Sequence, residues 1–144
     1  MLLAGLGMPF TSAAVRRAAE LAKQCELTYD TPVAVLTIAR MYGSSFGMQN
    51  PGLMPTKKER ETQIKLLEDA IGQLRRLGVH ADGQVAVTRK FLRTIVSVAR
   101  VRRARFVVMD DPGGSPLRRL IEGDPARYIR PRLADGAIIE LVAP

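Results

Sequence analysis

The stretch RFVVMDDPGGSPLRRLIEGD, from Arg105 to Asp124, decides how the chain reads. Phe106, Val107, Val108 and Met109 form a short apolar run, half of it β-branched, as a buried parallel strand requires. Asp110, Asp111, Pro112, Gly113 and Gly114 follow at once, so the chain is expected to turn there. Ser115 before Pro116 reads as an N-cap and first helical residue, with Leu117, Leu120 and Ile121 on one apolar side. A second helix start follows Gly123, at Asp124-Pro125. Two helix N-termini beside one glycine loop, at the carboxyl end of a strand, can cradle phosphate because unpaired backbone N–H groups point at the ligand.

Outward from that stretch, strands and helices alternate. Leu2 to Leu6 reads as a first strand that begins almost at the first residue, leaving no room for an N-terminal extension, and Thr11 or Ser12 as the cap of a helix. Val15, Ala18, Ala19, Ala22 and Cys25 recur at helical spacing there, a small-sided face suited to close packing. Val33 to Ile38 (VAVLTI) is a second buried strand. From Arg40 to Pro55, three glycines with Ser44, Ser45, Asn50 and Pro51 predict a long loop, whose Met41, Met48, Met54 and Phe46 offer adaptable apolar contacts. Thr56 and Glu59 form a capping box at the head of the longest helix. Ile64, Leu67, Ile71, Leu74 and Leu77 mark its apolar face, and Gly78 stops it.

His80, the one histidine, falls in a turn-like HADG and is read as a surface residue, since no second metal-ligand type stands at a suitable spacing. Val85 to Thr88 gives a third strand, and Phe91, Leu92, Ile95, Val98 and Ala99 a third helix. Ala126, Ile129 and Leu133 pack a last helix, bent or broken at Pro131, before a fifth strand from Ala137 to Val142 (AIIELV). Five strands separated by helices predict an α/β fold: one parallel sheet with helices on both faces, a Rossmann-like single domain across residues 1–144.

With 47% hydrophobic and 25% charged residues, the chain suits one soluble domain. No segment reads as a signal peptide or a membrane helix, so a cytoplasmic protein is expected. Cys25 has no second cysteine to pair with and is read as buried filler on its helix. The net charge is +8, and between Arg89 and Arg105 stand seven basic residues (Arg89, Lys90, Arg93, Arg100, Arg102, Arg103, Arg105) and no acidic one. That face attracts phosphates or acidic protein in principle. Without a reading motif, and with Phe91 and Phe106 as its interleaved aromatics, it is read as a solvated helix face rather than a nucleic-acid site.

The order strand, Gly-x-x-Gly, nine residues, Gly-Ser/Thr, helix resembles the nucleotide-binding signature of the universal stress protein (UspA-like) family. Gly113 and Gly123 enclose nine residues, and GSPLRRLIE between them is similar to the family's short Arg-rich helix. The resemblance covers nearly the whole chain in element order, with the motif degenerate. Asp110 stands at the first glycine, Asp124 at the Ser or Thr, and Leu6 at the aspartate with which ATP-binding members hold the adenosine end. The resemblance implies strand order 3-2-1-4-5 and the adenine nucleotide alpha hydrolase-like fold. In that order the loops after the first and fourth strands meet at one crevice. Carried over position by position, Gly5, Leu6, Ile38, Met109, Asp110, Gly113, Gly123 and Asp124 would line it.

Leu6 cannot accept the hydrogen bonds an aspartate accepts, and Asp110 adds a Cβ and a charge where backbone should approach phosphate. Asp124 keeps the cap but sets an anion where phosphate would bond. A like-charge pair about 5 Å apart costs on the order of 3 kcal/mol at an effective dielectric near 20. Weak or no ATP binding and no resident cofactor or metal are therefore expected; with no Ser/His/Asp or Cys/His arrangement in the sequence, no catalysis is expected either. The alternative is a pocket in which Asp110, Asp111 and Asp124 hold Mg²⁺ or Mn²⁺ bridging to ATP, with Arg89 and Lys90 assisting. The resemblance implies a stress-response or regulatory role, with a protein partner or a homodimer through Ala137 to Val142. The early first strand suggests, as a further alternative, a regulatory domain of a membrane transporter.

Overall fold

The structure, a computed structural model, describes residues 1–25, 32–40, 56–111, 113 and 124–143. Five strands, β1 (Leu2–Ala4), β2 (Val33–Arg40), β3 (Ala81–Thr88), β4 (Phe106–Asp110) and β5 (Ile138–Val142), form one sheet in the order β3-β2-β1-β4-β5. Every neighbouring pair is parallel, with Leu3 between Val35 and Val108 at the centre. The expected α/β class and strand order are thus found. Helices α1 (Ser12–Gln24) and α2 (Lys57–Arg76) cover one face; α3 (Phe91–Val101) and α4 (Pro125–Ile129) cover the other. The expected loop at 41–55 and helix after Ser115 lie outside the described residues.

Helices α1, α2 and α4 start or stop on local signals. The Thr11 hydroxyl caps α1 by accepting from the Ala14 N–H at 3.2 Å. Thr56 and Glu59 close the expected capping box on α2, at 3.2 and 2.6 Å. Gly78 follows α2 at φ +80°, a left-handed conformation that leaves no strain on a residue without Cβ. At Pro131 α4 gives way to a single 3₁₀ turn, Arg130–Arg132, because proline has no N–H to continue the ladder.

Four expectations change. The HADG segment is no turn: β3 starts at Ala81, and Gly83 lies under α2, where a Cβ would stand 2.5 Å from Leu67 Cδ1 and 2.8 Å from the Val35 carbonyl oxygen. A glycine inside a strand serves here for close approach. Ile64 is 47% exposed, whereas Gln63 is buried with Leu67, Ala70 and Leu74, so the inward stripe of α2 keeps Leu67 and Leu74 of the apolar one but takes Gln63 and Ala70 in place of Ile64 and Ile71. Cys25 is the C-cap of α1, half-buried, rather than core filler. The first strand stops at Ala4, although the Gly5 N–H still donates to the Leu36 carbonyl at 2.8 Å.

Candidate functional site

Strands β1 and β4 are neighbours, so their carboxyl ends open side by side, where the sheet order reverses direction. The loop after β1 is pinned from three sides. The Phe10 ring covers Gly5, where a Cβ would come within 2.9 Å of it. Gly7, at φ +85°, presses on the Ile38 carbonyl oxygen, which a Cβ would meet at 2.8 Å. The Gln63 side-chain amide donates to the Gly7 carbonyl at 3.1 Å. Only glycine meets both demands at position 7, a left-handed φ and a backbone neighbour.

The loop after β4 is tied to the first by Asp110. The last residue of β4 rather than part of a turn, it accepts the Thr11 N–H on Oδ2 at 3.1 Å and the Thr11 hydroxyl on Oδ1. Thr11 Oγ1 in turn accepts from Ala14, so one hydroxyl serves as cap and as link. A carboxylate at this position also answers the positive end of the α1 macrodipole. The anion site at the head of α1 is therefore filled by the protein's own side chain.

The remaining expected residues separate into three groups. Ile38 and Met109 are buried in the core on the α3 side, and Leu6 packs against it half-buried, so a ligand would find backbone and hydrocarbon there. Asp111 donates its N–H to the Val142 carbonyl at 2.8 Å and accepts from the Gly113 N–H at 3.1 Å, a local turn that Gly113 enters at φ +61°. Asp124 accepts from the Ala126 N–H at 2.9 Å and caps α4, the role its residue type predicts. Gly123 lies outside the described residues. Arg89 and Lys90 are exposed at the head of α3. Among the described residues no three carboxylate, imidazole or thiol groups gather closely enough to hold a metal ion.

Sequence reading missed Gly7, Gln63 and the partner of Thr11. Thr11 and Asp110 stand 99 positions apart, and a cap residue does not announce that its hydroxyl also donates. It also missed the forked pair in which Arg17 Nε and Nη2 donate to the two Glu140 oxygens at 2.5 and 3.2 Å, fastening α1 to β5. Hydrogen bonds to Glu140 and then Glu20 raise the Arg17 pKa above the usual guanidinium value. That pair borders a groove of about 510 Å³ between α1 and β5, lined by Ser12, Arg16 and Val142 among others, none of them in the expected set.

No family model matches the chain, and no curated protein matches it. Solved structures do. A universal stress protein from Archaeoglobus fulgidus superposes with a TM-score of 0.61 at 20% identity, covering 96% of each chain. The universal stress protein from the same organism in complex with dAMP gives 0.60 at 16%, over 96% of this chain and 94% of that one. A universal stress protein in complex with cAMP gives 0.62 at 15%, over 98% and 96%. The resemblance read from the Gly113 to Gly123 spacing therefore extends to the whole architecture, and the chain has the universal stress protein fold.

Proposed function

We propose that this is a universal stress protein-like regulatory domain of the cytoplasm that binds adenine nucleotides weakly or not at all and acts through protein contacts, without turnover. One observation carries the reading: Asp110 occupies the head of α1 with its own carboxylate, at the crevice where the fold would receive a phosphate. An incoming phosphate competes with that bond and meets a like charge. The exposed Asp124 adds a smaller, solvent-screened repulsion, below the figure for a buried pair. Leu6 offers no acceptor to a ribose.

The test is isothermal titration of nucleotide-stripped protein with ATP, AMP and cAMP, with and without Mg²⁺ and Mn²⁺. No binding below millimolar is expected from the wild type. Binding gained by Leu6→Asp, Asp110→Gly and Asp124→Ser together would show a nucleotide site closed by substitution. A second reading, a nucleotide-binding member with a metal-assisted pocket, is favoured by the solved neighbours that carry dAMP and cAMP. Micromolar binding that requires the metal and weakens in Asp124→Ser would establish it and sink the first.

The domain pairs with a second copy through β5. Of the two terminal strands, β3 carries Asp82, Gly83 and Gln84, while β5 (IIELV) is apolar and leaves Ile138 51% exposed. Sedimentation equilibrium should give a dimer that Ile138→Asp converts to monomer; a wild-type monomer at micromolar concentration would remove this part of the reading.

A further inference from the structure

We propose that the outward face of α3 and α4 binds the phosphate backbone of a nucleic-acid duplex. Two stretches distant in the chain share one property: residues 89–105 hold seven basic side chains, residues 125–134 hold three arginines, and neither holds an acidic residue. The fold joins them. Helices α3 and α4 pack into the same core, and Arg100 Nε donates to the Arg132 carbonyl at 2.9 Å. Arg93, Arg100, Arg127, Arg130 and Arg132 are all exposed on the result. Within these two stretches Arg102 alone has an ion pair among the described residues, with Asp82 at 3.0 Å.

The chemistry of the patch selects its partner. Nine of the ten cations in the two stretches are arginine, whose planar fork matches phosphate oxygens two at a time. Arg93 and Arg100 stand two helical turns apart on one side of α3, roughly 10 Å along it. A duplex, with one charge per about 1.7 Å of axis, meets such a row. Single strands are gripped by stacking bases on aromatics. The aromatics here are Phe91, half-buried against the core, and Tyr128, whose ring lies under the Arg132 guanidinium at 3.9 Å. A bilayer or an acidic protein partner needs apolar anchors. The large exposed hydrophobic on this face is Val101.

The other sheet face shows that the patch is local. On α2 the cations alternate with Glu59, Glu61, Glu68 and Asp69, and on α1 Arg17 is neutralised by Glu20 and Glu140. The occupation of both aromatics by packing, which argues against base reading, thus leaves backbone contact intact, and binding is independent of sequence and steeply salt-dependent.

The experiment is fluorescence anisotropy of the full chain with labelled 24-base-pair DNA and RNA duplexes at 50 and 200 mM salt, with phosphatidylserine vesicles and polyglutamate as competitors. We expect micromolar binding at 50 mM that falls about a hundredfold at 200 mM, as about four released counterions require. The DNA and RNA arms decide which helix form is preferred. Arg93→Glu, Arg127→Glu and Arg130→Glu together should weaken binding at least tenfold and flatten the salt slope. Lys58→Glu, Arg60→Glu and Lys65→Glu on α2, with the same change in net charge, should leave the affinity within about threefold, and circular dichroism checks that both variants fold. Equal loss in the two triples would reduce the effect to net charge and overturn the proposal, as would no duplex binding at 50 mM or displacement of the duplex by vesicles or polyglutamate at equal charge concentration.

Discussion

The two faces of the sheet bury fifteen core residues each among the described residues, and both mix alanine with leucine and valine, but their helices meet the sheet differently. On the first face α1 packs through Ala14, Ala18, Ala19 and Ala22, and Gly5 and Gly83 stand bare beneath Phe10 and Leu67. On the second, Ile95 of α3 and Ile129 of α4 are fully buried in one cluster with Leu2, Leu36, Ile38 and Met109. The close approach at α1 and the two glycines is vulnerable to added volume, and the isoleucine contacts of the second face to lost volume.

This difference reaches the crevice. An aspartate has one methylene, so Asp110 meets Thr11 only because α1 lies close to the end of β4. Four of the six buried residues of α1 are alanines, which suits such an approach. The opposite face carries the exposed arginine patch instead. A short reach closes one site on the first face, while an open surface of charge is left on the second.

The largest effect should come from removing bulk. Ile95→Ala, at a fully buried position, is expected to cost about 3 to 4 kcal/mol, measured by urea denaturation. Gly83→Ala should come next, at about 2 kcal/mol, because the added methyl meets a backbone oxygen as well as Leu67. Combining it with Leu67→Ala separates the two causes. If the double variant is more stable than the sum of its parts, the side-chain clash dominates; a strictly additive cycle would place the strain at the Val35 carbonyl. A Gly83→Ala variant as stable as wild type would break the contrast between the faces.

Asp110→Asn is expected to cost about 1 to 2 kcal/mol, since the amide keeps the size but loses the charge and one of the two acceptor oxygens to which Thr11 donates. Thr11→Val removes the hydroxyl from the same link. The two losses should overlap, so that the double variant costs less than their sum, and full additivity would show that Asp110 and Thr11 act separately.

How much of this was legible depended on whether the signal was local. Strands with β-branched runs, the capping box at Thr56 and Glu59, and the break at Pro131 all sit within a few residues of their causes, and each was read. Strand order came from the resemblance, because parallel pairing leaves no mark on either strand alone. In sequence Asp110 reads as a loop carboxylate, since its partner lies across the sheet order rather than along the chain. In sequence Gly83 reads as a turn because bare glycine signals both turns and close approach, and only the helix above it tells them apart. The arginine patch was half visible: the run from Arg89 to Arg105 is plain, but its junction with Arg127 to Arg132 is tertiary.

The smallest predicted effect tests where the close-packed face ends. On α2 the apolar residues Ile64, Leu67, Ile71 and Leu74 propose one stripe, and burial selects another that contains Gln63. Gln63 lies inward because its amide holds the Gly7 carbonyl, though its own Oε1 is buried without a partner. A helix cannot turn both residues inward, since neighbours stand about 100° apart. The stripe was thus displaced by the need to fix the loop after β1. Ile64→Lys should then change stability by no more than about 0.5 kcal/mol, as exposed positions do. Gln63→Leu should cost more, despite gaining an apolar group, because it leaves the Gly7 carbonyl without its donor. If the order is reversed, the loop is not what sets the rotation of α2, and the pinned crevice loses one of its three supports.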